Sequence, residues 1–213
     1  MLHLFKFQKK LPKIIIEYSK LLDPIFTFYC QNNPELKKGW GDWVPLPTEK
    51  LDENVKLFKQ AWQKDGERML RGVCNVLNLD FYRNVIPVYV VSGNPRPFGN
   101  PIVIRADFAR HDSFIDVLVH ELIHVLFMDN QKKVPWSIFM GMFPNESPST
   151  QNHIIVHAVL KYVYLEVLRD SERLQKDISR SGKHRNSEYT RAWEIVEEQG
   201  YRELIAQFIK KYE

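Results

Sequence analysis

The chain has 213 residues, 44% hydrophobic and 26% charged, an ordinary balance for a globular protein and long enough to bury a core without staples. Lys and Arg number 30 against 26 Asp and Glu, and the net charge of +4 is too small an excess to point to nucleic acid. Cys30 and Cys74 form no CxxC pair, no run reaches about 18 apolar residues, and Met1–Lys10 lacks a signal-peptide pattern, so no disulfide framework and no membrane are expected, and the expected setting is cytoplasmic.

Residues 1–50 read as an N-terminal extension, with a helix predicted around Ile14–Phe28 and broken near Pro24. Asn33 to Pro47 holds Pro34, Gly39, Gly41, Pro45 and Pro47 and is predicted to be loop, with Trp40 and Trp43 as packing anchors. Residues 51–128 hold a backing helix, strands and a central helix. From Asp52 to Leu79 the apolar residues Val55, Phe58, Trp62, Met69, Val73 and Val76 keep helical spacing, and Gly66 and Gly72 mark places for a break. Ile86–Val91 and Ile102–Asp107 are predicted strands, rich in β-branched residues. A helix opens near Ser113, with Asp116 three residues on, and runs to about Met128.

Residues 129–213 form a helical C-terminal part: a linker to Ser149, a long helix to about Lys176, and closing helices Ser187–Gln199 and Tyr201–Tyr212 parted by Gly200. Tyr189, Trp193, Ile195 and Val196 read as the apolar face of the first closing helix. Arg180–Arg185 is the densest basic stretch and reads as a solvated loop. The whole is expected to be one α+β domain, helix-rich, with a small β-sheet around the two predicted strands beside the central helix.

Chemistry concentrates on that helix, at His120-Glu121-Leu122-Ile123-His124. Histidines four residues apart on a helix share one face, with Cβ atoms about 5–6 Å apart, so two neutral imidazoles can hold one divalent metal, zinc being the usual guest. Glu121 then stands beside the metal, where it can take a proton from the water that the metal activates. From Val117 to Leu126 these are the only polar side chains, and buried polar groups require partners.

Val117–Leu126 resembles the signature of the zincin metallopeptidases. The order of elements over 52–128 is also similar to that family: backing helix, strands, edge strand, active-site helix. The resemblance implies a zincin-like fold, a Zn2+ cofactor, a peptide or protein substrate, and an edge strand at Ile102–Asp107 against which an extended substrate lies. Phe127 and Asn130 stand where the metzincin branch has Gly and a further His, which excludes that branch.

The third ligand is open among His153, His157 and Glu166. Glu166-Val-Leu-Arg-Asp170 resembles the Glu-x-x-x-Asp element of thermolysin-like gluzincins, in which the Glu binds zinc and the Asp steadies a ligand histidine. The spacing argues for a histidine. If the next helix runs antiparallel to the first, Glu166 overshoots His157 by roughly 13 Å at 1.5 Å per residue. His157 is favoured because Ala158 allows close helix approach, which leaves His153 to donate to a developing oxyanion. The expected function is zinc-dependent peptide hydrolysis with Glu121 as base. The alternatives are a non-catalytic metal-binding or interaction domain on the same scaffold, or an enzyme kept latent by Trp40–Pro47 or the C-terminal helices.

Overall fold

The computed structural model describes residues 11–40, 43–183 and 187–213. The readings made at Met1–Lys10, Gly41 and His184–Arg185 lie outside the described residues. The fold is α+β and helix-rich, as expected, with one small mixed sheet.

The sheet has four strands in the order β1-β2-β4-β3: β1 Lys13–Tyr18, β2 Val85–Val91, β3 Phe98–Gly99 and β4 Ile102–Arg105. β1 and β4 flank β2 in parallel, and β3 pairs antiparallel with β4 at the outer edge. Two expectations fail here. The Ile14 region is a strand instead of a helix, because Ile14-Ile15-Ile16 pairs along β2 from Ile86 to Val88, and β-branched residues suit a pleated, half-buried surface. Ile102–Arg105 is not the outermost strand, because β2 pairs along it on one side and Phe98–Gly99 pairs with Ile102 and Val103 on the other.

Between β1 and β2 the chain makes four helices: α1 Leu22–Asn32, α2 Pro34–Trp40, α3 Thr48–Ala61 and α4 Glu67–Leu77. The Ser19 hydroxyl accepts the Leu22 N–H at 3.2 Å and so opens α1. The predicted loop after Asn33 begins with α2, since Asn33 accepts the N–H groups of Glu35 and Leu36 at 3.0 and 3.2 Å and Pro34 needs no partner in a first turn. α3 and α4 run into each other through a π-helical turn, Trp62–Gly66, rather than breaking. Gly66 lies under the Trp62 indole, where a Cβ would stand 2.2 Å from the ring. Trp43 covers Gly93 in the same manner, at 2.5 Å, and is a packing anchor.

The central helix, α5, spans His111–Asp129. It is buried nearly all round, by Phe114, Ile115, Leu118, Val119, Leu122 and Ile123 among others, and touches the sheet, α3, α4 and α7. The expected linker holds a short helix, α6 Trp136–Met142. α7, Pro148–Tyr162, starts at Ser147, whose hydroxyl accepts the Thr150 N–H at 3.2 Å. The predicted long helix then divides. A π-helical turn, Val163–Leu168, ends at Arg169 in the left-handed region (φ 59°), and α8 runs Ser171–Lys183. α9 Ser187–Gln199 and α10 Tyr201–Ile209 close the fold against α7.

Candidate metal centre

α5 and α7 place the four histidines. His124 faces Asn152 and His153, while His120 faces His153 and His157, so the two helices run antiparallel at the site. The Nε2 atoms of His120 and His124 stand 3.1 Å apart. Tetrahedral zinc with Zn–N bonds of about 2.0–2.1 Å sets its ligand nitrogens about 3.3 Å apart, so this pair is nearly at ligand spacing. His120, His124 and His153 offer ring nitrogens that all lie within 4.8 Å of one another.

Tautomer and charge also fit a metal. The His153 Nδ1–H donates to the Ser149 carbonyl at 2.7 Å, which leaves the Nε2 lone pair of that ring unused. Burial first, and the neighbouring histidines second, hold His120 well below the usual imidazole value and His124 at about 3. His153 is lowered by burial too. All three rings are therefore neutral at pH 7, with lone pairs available. His124 Nδ1 lies 3.2 Å from the Asn152 side-chain amide. A ring that binds through Nε2 carries its proton on Nδ1, and Asn152 accepts that proton once its amide presents Oδ1.

His157, the favoured third ligand from sequence, is not in the trio. It is wholly buried one turn further along α7, stacked on Trp193 at 4.3 Å and 12°, and its Nδ1 has no partner. The antiparallel register explains the difference. His124 lies five residues before the end of α5, and His153 lies five residues after the start of α7, so they meet at equal depth. His153, expected to donate to an oxyanion, is the residue whose ring nitrogen lies with those of His120 and His124. Glu166 is far from the site: it sits exposed on the second π turn, accepts the Tyr201 hydroxyl proton at 2.6 Å and pairs with Arg202. Asp170 caps α8, accepting the Arg173 N–H at 2.9 Å, and steadies no histidine.

Glu121 is 7% exposed, and burial raises its carboxyl to about 7. Edge strand β3 comes close at this point: a Cβ on Gly99 would stand 3.2 Å from Glu121 Oε2 and 3.7 Å from His124 Cβ. A side chain at position 99 would crowd the carboxylate, so the glycine is what lets β3 pass this close to α5.

Three site residues escaped the sequence reading. Asn152 stands next to His153 and was legible only as a second polar residue before an apolar run. Gly99 reads as one more turn glycine. Tyr189 was assigned to a packing face. Its ring centroid lies 4.0 Å from His153 and 5.8 Å from His120, nearly parallel to the latter at 6°. No family model, curated protein or solved structure matches the chain.

Proposed function

We propose that the protein is a zinc-dependent metallopeptidase that hydrolyses peptide bonds, with zinc held by His120, His124 and His153 and with Glu121 as general base. The carrying observation is the convergence of three neutral ring nitrogens beside a buried carboxylate. Zinc at this site would lower the pKa of a water toward about 7 and polarise the scissile carbonyl. His120 and His124 share one rigid turn of α5, and Asn152 and the Ser149 carbonyl hold two of the rings by their outer nitrogens. Glu121 takes the proton that the water loses, and its raised carboxyl is matched to returning that proton to the leaving amine near neutral pH.

A trio with His157 outside it leaves one coordination position open, which supports a catalytic rather than a closed structural site. The resemblance of Val117–Leu126 to the zincin signature supports a peptide substrate. Both cysteines are free and buried, which supports a reducing, cytoplasmic setting.

The test is elemental analysis together with a proteolysis assay on denatured protein. Zinc is expected at one per chain, and Glu121→Gln is expected to retain it while activity falls at least about 100-fold. Activity retained in Glu121→Gln overturns the mechanism.

A further inference from the structure

The end of the molecule where α5 stops and α6 meets α10 carries chemistry that the metal centre does not use. A run of ring contacts ties it together. Trp136 stacks on Phe139 at 5.3 Å, Phe139 packs on Phe208 at 5.1 Å and Phe208 on Tyr212 at 5.3 Å. The Lys133 ammonium stands 5.1 Å over the Tyr212 ring. The Tyr82 backbone N–H donates to the Asp129 carboxylate at 3.1 Å, which brings the chain before β2 to the same place.

Four large apolar side chains stand open to water here: Tyr82 is 75% exposed, Met140 51%, Met128 46% and Trp136 40%. Trp136 and Met140 lie one turn apart on α6 and share a face. Apolar groups gathered in one exposed place mark a binding surface. Charge says what it binds. Lys132 and Lys133 lead into α6, Lys210 and Lys211 lead into Tyr212, and all four are exposed without an ion pair among the described residues. Of the carboxylates on the same segments, Asp129 is held by Arg83 at 2.6 Å and Glu213 accepts from the Asn78 amide at 3.2 Å, so the lysines leave a positive excess.

We propose that this end docks on the surface of an anionic lipid bilayer, with Trp136 and Met140 entering the headgroup layer and the lysines meeting the lipid charges around them. Surface docking requires no spanning helix. An indole ring is apolar in body and polar at its N–H, which suits the boundary between headgroups and acyl chains. Lysine stems lie along an apolar layer while their heads stay in water. A fixed carboxylate or phosphate partner would favour the planar fork of arginine, and Arg83 is already engaged by Asp129. The docking does not depend on the metal centre, since neither the rings nor the lysines named here belong to it.

The experiment is co-sedimentation of the full chain with vesicles of phosphatidylcholine, alone or with about 30 mol% phosphatidylserine. Binding is expected to the anionic vesicles only. It should weaken at least about tenfold when salt rises from about 0.1 M to about 0.5 M. Lys132→Glu with Lys133→Glu is expected to weaken it at least about tenfold, and Trp136→Ser with Met140→Ser at least about fivefold. Phe28→Ser, on the exposed face of α1, is expected to change it by less than about twofold. Circular dichroism melts check that each variant is folded; the two lysines lie outside the core, so their pair decides if the α6 pair unfolds. No binding by the wild-type chain, or full binding by the lysine pair, overturns the proposal. So does an equal loss in Phe28→Ser, which would place the contact on α1. Binding of a DNA duplex as tight as that of the anionic vesicles, and unaltered by the α6 pair, also overturns it, since the lysines would then be a general polyanion site.

Discussion

At the residue scale, His153 and His157 differ in what each ring has left to offer a metal. His153 has Nδ1 committed to the Ser149 carbonyl and faces both α5 histidines, whereas His157 is stacked on Trp193. His153→Ala is expected to lose zinc at ordinary chelator strength, and His157→Ala to retain it. Equilibrium dialysis against a buffered zinc series reads the difference, and equal losses would place both rings in the coordination sphere. The sequence made His120, Glu121 and His124 legible because one helical turn sets their geometry. It left the third donor open because that position depends on how far α7 slides along α5, which no local spacing states. The favoured residue, His157, lies one turn further along α7 than the histidine grouped with His120 and His124. Asn152 was missed for the same reason, as its function exists only opposite His124.

At the scale of elements, α5 is held in place by a buried ionic network. Arg173 on α8 donates to Asp116 at 2.7 Å, to Asp65 on the first π turn at 2.9 Å and to the Asp112 carbonyl at 3.2 Å. Asp116 lies one turn before His120, so the network sets the start of the helix that carries His120 and His124. Removing one partner of such a pair leaves a buried charge uncompensated, which costs about 3–5 kcal/mol. Urea unfolding of Arg173→Ala should show a loss of that size, and restoring neutrality with Asp116→Asn in the same chain should recover part of it. A loss below about 1 kcal/mol would mean that water reaches the network. The network also explains why the predicted 149–176 helix divides. Asp170 caps α8 and Arg169 turns left-handed, which aims Arg173 back at α5. Within the elements, the apolar spacing of 52–79 and 113–128 was legible, because it follows from a single helix meeting a core. The strand at Lys13–Tyr18 was not, because β1 exists by pairing with β2 some seventy residues away (Ile14 on Ile86), and a short apolar run fits a helix as well as a strand. The same holds for the edge strand: Phe98–Gly99 is two residues long and is a strand only against Ile102 and Val103.

At the scale of the whole molecule, the buried histidines tie stability to pH, and on the proposed function to zinc as well. Among the described residues no helix is long and apolar enough to cross a membrane. The core gathers around α5 and α7, and the four imidazoles they carry there, His120, His124, His153 and His157, are all lowered chiefly by burial from the ordinary value of 6.5. Below pH 6.5 the unfolded chain takes up protons that these buried rings refuse. The stability present above that pH is lost as the pH falls, by about 1.4 kcal/mol per pH unit for each ring. The thermal midpoint of the metal-free protein should therefore drop between pH 7 and pH 5. Zinc at 100 times its Kd should raise stability at pH 7 by about 2.7 kcal/mol, and chelation should reverse the gain. A flat midpoint over that pH range would show the rings to be solvated.

What the sequence determined by itself is whatever one turn or one face of a helix carries: two histidines and a glutamate on α5, an apolar surround, a helix-rich α+β composition. What only the tertiary structure decided is whatever needs two segments to meet: the register of α7 on α5 that brings His153 level with His124, the two-residue strand that brings Gly99 to Glu121, and the docking of α9 that sets the Tyr189 ring against His153. The physical reason is that helical periodicity is a short-range property of the backbone. The relative depth of packed helices is set instead by side-chain interdigitation across the core, and that arises only once the chain has closed on itself.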